Sequence, residues 1–148
     1  MRTLLHTTHI QAPTATVWQI LTATDQYPQW NPFMLSLSGA LCVGQRLTVT
    51  MRAGQRTMTF HPTVQALEPG TLLRWKGRLA VPGLFDGEHE LRVESTGSGT
   101  CQFTQRETFR GILVPAMRRL LDDTDTAFAA MHTALQARAA ELSGLASA

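Results

Sequence analysis

The chain has 148 residues, a formal net charge of +2, 43% hydrophobic and 16% charged residues, and two cysteines. One domain over residues 1–148 is expected from that length, and a domain of this size buries roughly two-thirds of its unfolded surface. Basic residues stand singly or in pairs such as Arg118-Arg119, which argues against the continuous cationic stripe needed to bind nucleic acid.

No apolar run approaches the ~18 residues of a membrane span, and Met1 to His6 lacks a signal-peptide core, so no membrane insertion is expected and the cytoplasm is the expected location. Cys42 and Cys101 are distant in sequence and form no C-x-x-C pair, so both are expected to be free, buried thiols without a nucleophilic role.

Leu4 to Ile10 is expected to form the first strand, ended by Ala12-Pro13. A helix follows to about Thr22, because proline suits a first helical turn and Val17, Ile20 and Leu21 share a face. From Asp25 to Phe33, two prolines interrupt three aromatic residues, which predicts a broken helical turn lying over a core or a pocket mouth.

Strands are then expected at Phe33–Ser38, Gln45–Arg52, Thr57–Leu67, Thr71–Gly77, Glu88–Glu94 and Cys101–Phe109, separated by segments with turn chemistry such as Glu68-Pro69-Gly70 and Thr96-Gly97-Ser98-Gly99. Connections that short imply antiparallel neighbours. From Ile112 to Leu142 the spacing predicts one long helix, since Leu113, Met117, Leu120, Leu121, Phe128, Met131, Leu135 and Leu142 fall on one stripe.

A helix with one apolar stripe must bury it on a sheet face. The expected fold is therefore α+β: a seven-stranded antiparallel sheet around a long C-terminal helix, with two short helices after the first strand. A pocket can open where the sheet curves away from the helix.

Several strings carry a family resemblance: Ile10-Gln11-Ala12-Pro13 with Val17-Trp18, Tyr27-Pro28-Gln29-Trp30-Asn31-Pro32-Phe33, Pro82-Gly83-Leu84-Phe85-Asp86-Gly87-Glu88-His89, and Glu107-Thr108-Phe109-Arg110-Gly111. With the element order, they resemble the polyketide cyclase/dehydrase-like branch of the START/Bet v 1 (SRPBCC, helix-grip) superfamily across nearly the whole chain. That resemblance implies a deep apolar cavity for a lipid-, polyketide- or aromatic-like molecule. It implies no single reaction, because one fold hosts many activities.

If Thr96 to Gly99 is the hairpin loop, Val93 faces Phe103, Leu91 faces Gln105 and His89 faces Glu107, and all six alternate onto one apolar face. His89 and Glu107 then meet as a cross-strand pair, the candidate catalytic residues. A carboxylate beside an imidazole favours the charged ring, and such a pair could exchange protons with a bound carbonyl compound. The alternative is a set of polar cavity groups, His89, Gln105 and Glu107, that orient a ligand without chemistry.

The expected cavity set is Trp30, Phe33, Trp75, Phe85, His89, Leu91, Phe103, Gln105, Glu107, Met117, Leu121, Phe128 and Met131. Within it, Trp30 and Phe33 are candidate lid residues, and Phe85 with Leu84 a candidate apolar gate between glycines. No metal is expected: Glu88 and Glu90 alternate away from His89 on a strand, and His6, His9 and His61 lack ligand spacing. The glycine-rich Thr96 to Gly99 joins two strands and makes no phosphate cradle, so no cofactor is expected. Three functions follow as expectations: binding of a small hydrophobic ligand, cyclase- or dehydratase-type catalysis through His89 and Glu107, or a regulatory role with a vestigial pocket.

Overall fold

The computed structural model describes residues 1–147. Its elements are β1 (Arg2–Ile10), α1 (Thr14–Thr22), a 3-10 turn (Thr24–Gln26), α2 (Tyr27–Trp30), β2 (Met34–Ser38), β3 (Thr48–Ala53), β4 (Arg56–Phe60), β5 (Thr63–Glu68), β6 (Leu72–Arg78), β7 (Asp86–Gly97), β8 (Thr100–Arg110), a second 3-10 turn (Val114–Met117) and α3 (Arg118–Ser147). The α+β helix-grip architecture expected from the sequence is present, with α3 as the gripped helix.

One sheet of seven strands was expected. Among the described residues there are instead eight strands in two antiparallel sheets, ordered β1-β8-β7-β6-β5 and β2-β3-β4. The difference arises at His61-Pro62, which divides the expected strand Thr57–Leu67 into β4 and β5. Proline offers no N–H to a ladder and sits at strand breaks. The carbonyl of buried Pro62 instead accepts from Leu47 N–H at 2.7 Å, and Val64 N–H donates to the Gln45 carbonyl at 2.9 Å, so the break stitches the sheets together.

The segment Asp25 to Phe33 lies over the core and sends Tyr27, Asn31 and Phe33 into it, while Asp25, Pro28, Gln29 and Pro32 stay exposed. Tyr27 and Phe33 are fully buried, and the Tyr27 hydroxyl donates to the Leu21 carbonyl at 2.6 Å, tying α2 back to α1. The Asn31 Oδ1 accepts from the backbone N–H groups of Phe33 and Met34 at 3.0 and 2.9 Å, turning the chain into β2.

The long helix begins later than its stripe suggested, because Val114 to Met117 winds as a 3-10 turn around Pro115 before α3 starts at Arg118. Along α3, Leu121, Phe128, Met131, Leu135 and Ala139 are buried in the one apolar core. Each of the larger side chains so buried, the leucines, Phe128 and Met131, contributes on the order of 1.5–3 kcal/mol of transfer free energy. The ring of Phe128 meets Phe33 at 5.2 Å between centroids, joining α3 to the start of β2.

Candidate functional site

The β7–β8 hairpin sets the site. Its register pairs His89 with Glu107, Leu91 with Gln105 and Val93 with Phe103, the pairs expected from the turn, and β6 places Trp75 beside His89. Side chains alternate along a strand, so Trp75, His89 and Glu107 form a row on the helix-facing side while Arg74 pairs with Glu88 and Glu90 on the other.

His89 lies in an aromatic box. Its ring is 5.0 Å from Trp75, 6.2 Å from Phe33 and 5.5 Å from Phe128, the last a stacked contact. Its Nε2 is 2.9 Å from Gln105 Nε2, and Gln105 Oε1 is 3.1 Å from Nε2 of His132 on α3. The other ring nitrogen, Nδ1, is buried without a hydrogen-bond partner, 3.7 Å from Glu107 Oε1.

The charges run opposite to the sequence expectation. Burial lowers the His89 pKa to about 3 and pushes the Glu107 carboxyl up to about 8. Desolvation outweighs mutual attraction, so at neutral pH the ring is uncharged and the carboxyl holds its proton. The pair is not an imidazolium–carboxylate bridge. His132 is likewise lowered, to about 4, by burial and then by the neighbouring His6. Beyond it, His6 Nε2 contacts Asp125 Oδ1 at 2.8 Å near the surface.

Glu107 faces a cavity of about 60 Å³ between the two sheets and α3, room for a few waters or a small organic group. Trp75 and Phe109 line it from the five-stranded sheet, Met51, Met58 and Phe60 from the other, Leu120, Leu121 and Thr124 from α3, and Leu79 and Phe85 from the β6–β7 connection. Phe85 stacks on Phe109 at 5.4 Å. Exposed Arg78 stands among the lining residues, and the Thr124 hydroxyl is occupied by the Leu120 carbonyl at 2.8 Å. Gly87 lies close under the carboxyl: a Cβ there would sit 3.1 Å from Glu107 Oε2 and press on it.

Of the expected set, Phe33, Trp75, Phe85, Glu107 and Leu121 line this cavity. His89, Leu91, Phe103, Gln105, Phe128 and Met131 are buried behind it, outside its lining. Trp30 departs from its expected place as a lid: it borders a different cleft with Gln19, Ile20 and Arg138, because α2 packs its tryptophan toward α1 and the later turns of α3. Met117 also stays outside the lining, held half-buried in the 3-10 turn.

Met51, Met58 and Phe60 escaped the sequence reading because a single sheet was expected. His132 escaped although its spacing exposes it, four residues after Phe128 and three before Leu135. Cys101 is buried as expected, whereas Cys42 is exposed. Among the described residues, no three His, Cys, Asp or Glu side chains converge as a metal site requires, and no helix is long and apolar enough to cross a membrane.

A family model described as polyketide cyclase/dehydrase and lipid transport matches residues 1–146. Solved structures with the same fold include the Zhui aromatase/cyclase from Streptomyces sp. R1128, 16% identical over 93% of each chain with a TM-score of 0.76. Norcoclaurine synthase from Thalictrum flavum is 16% identical over 96% of each chain, TM-score 0.74. A START superfamily protein from Mycobacterium smegmatis is 18% identical over 95% of this chain and 98% of that one, TM-score 0.72. No protein of curated function matches the sequence. The structural likenesses establish the fold, and the match over residues 1–146 shows that the chain belongs to the polyketide cyclase/dehydrase and lipid-transport family.

Proposed function

We propose that this protein binds a small hydrophobic molecule, lipid-, polyketide- or aromatic-like, in the cavity between its sheets and α3, with the Glu107 carboxyl as the anchor for the molecule's polar end. The observation that carries this reading is the buried carboxyl itself. Among the described residues its only neighbour within ion-pair range is His89, and apolar side chains make up most of the wall around it. A buried polar group without a partner is costly, and a ligand's polar atom would satisfy it. The family description, which spans cyclases and lipid transport, supports the same class of ligand.

Native mass spectrometry of protein taken from its source tests this. A co-purified small molecule is expected in the wild type and its loss in Leu121→Trp, which fills the cavity from α3. Equal occupancy in the folded variant would place the molecule elsewhere and defeat the reading.

A second reading, a cyclase- or dehydratase-type enzyme, is favoured by one feature: a carboxyl with its pKa near 8 holds a transferable proton at neutral pH, as a general acid must. Two structural neighbours, an aromatase/cyclase and a norcoclaurine synthase, are compatible with it by the activities in their names. Turnover that falls at least a hundredfold in Glu107→Gln while ligand binding persists would select this reading.

A further inference from the structure

The orientation of the Gln105 amide decides what kind of polar atom the cavity takes. One end of that amide lies 2.9 Å from His89 Nε2 and also 3.5 Å from Met131 Sδ. A thioether sulfur only accepts hydrogen bonds, so the end facing it is the NH₂ and the carbonyl faces His132. Two tautomers follow. His132 Nε2 carries a proton and donates to Gln105 Oε1 at 3.1 Å, while His89 Nε2 accepts from the amide and its proton resides on Nδ1.

That Nδ1–H is buried without a partner and faces Glu107 Oε1 at 3.7 Å. Oε1 is thus the carboxyl oxygen with a donor beside it, which leaves Oε2, the oxygen above Gly87, to carry the carboxyl proton. Every donor in the series His132, Gln105, His89, Glu107 points the same way, from α3 toward the cavity.

We infer that the cavity holds its ligand by a hydrogen-bond acceptor, a carbonyl oxygen, on a proton presented by Glu107, and that His132 acts through Gln105 and His89 as a positioning residue for that proton. An alcohol can also accept that proton but brings a donor of its own that needs a further acceptor, so it is the poorer fit. The inference rests on the proposed cavity binding and adds the chemistry of the ligand's polar end. The 3.7 Å gap closes when the ligand polarises the carboxyl, in line with the loose hydrogen bonds common in unliganded sites.

Cyclohexanone and methylenecyclohexane, which differ by O against CH₂, test it by calorimetric or NMR titration, with the infrared carbonyl stretch of bound cyclohexanone as a second readout. In the wild type the bound ketone's stretch should move to lower frequency than in an apolar solvent. In Glu107→Met that movement should vanish, and the ratio of ketone to alkene affinity should fall about tenfold, the worth of one buried hydrogen bond. His132→Leu should reduce the movement and the ratio while leaving methylenecyclohexane affinity unchanged, which a general loss of packing would not do.

Binding of methylenecyclohexane with an unshifted ketone stretch overturns the inference, and a ratio indifferent to Glu107→Met removes Glu107 as the anchor as well, while ligand binding in the cavity stands in both cases. Failure of both probes to bind overturns both. If Glu107→Met does not fold, His132→Leu and the wild-type stretch decide.

Discussion

Glu107, His89 and His132 are displaced from their ordinary titration ranges chiefly by burial, joined at His132 by the neighbouring His6, and the consequences for stability have opposite signs. The Glu107 carboxyl loses its proton at about 8 in the fold against 4.5 when free, so its contribution is complete below pH 4.5 and is lost as the pH rises toward 8. The histidines take up protons only near pH 3 and pH 4 in the fold, against 6.5 when free, so their contribution is complete above pH 6.5 and is lost as the pH falls. The opposing slopes predict greatest stability near pH 6.5 in urea denaturation. In Glu107→Gln the alkaline decline, at most about 1.4 kcal/mol per pH unit for one proton, should disappear while the acid decline remains. An unchanged alkaline slope would show that Glu107 is ionised in the fold. None of this was readable from sequence. The His89–Glu107 pairing was, because strand period and hairpin length determine register, but the charge state depends on Trp75, Phe33 and Phe128, which arrive from three distant segments.

At the scale of elements, the connection from Leu79 to Phe85 supplies two of the cavity's lining residues, and it is pinned by β8's exit. Ile112 N–H donates to the Gly83 carbonyl at 3.1 Å and Leu113 N–H to the Leu84 carbonyl at 3.0 Å. Gly111 permits this: its φ is +129°, and a Cβ there would run into the Leu84 backbone. Gly111→Ala should cost roughly 1–3 kcal/mol through backbone strain and accelerate amide hydrogen exchange at Ile112 and Leu113. Protection equal to wild type at both amides would show that the connection does not depend on this approach. The sequence marked this stretch as an apolar loop between glycines, yet its attachment is backbone to backbone and leaves no pattern in side-chain chemistry. In contrast, α1 and most of α3 were legible, because an apolar stripe at helical spacing has one economical burial. The strand Thr57–Leu67 was misread although Pro62 signalled its break, since apolar residues continue on both sides of it.

Across the whole molecule, division into two sheets is what turns a gripped helix into a container. The five-stranded sheet supplies the polar floor at Glu107, the three-stranded sheet supplies Met51, Met58 and Phe60 as the facing wall, and α3 closes the gap with Leu120 and Leu121. Local patterning marked the first and third of these surfaces, but the wall depends on how the sheets are stitched at Pro62. Intermolecular NOEs between cyclohexanone and the protein provide the most direct measurement of the central claim. Contacts to Trp75, Phe109 and Leu121 are the predicted result. Contacts confined to Trp30 and Leu142, in the cleft beside α1, would contradict it.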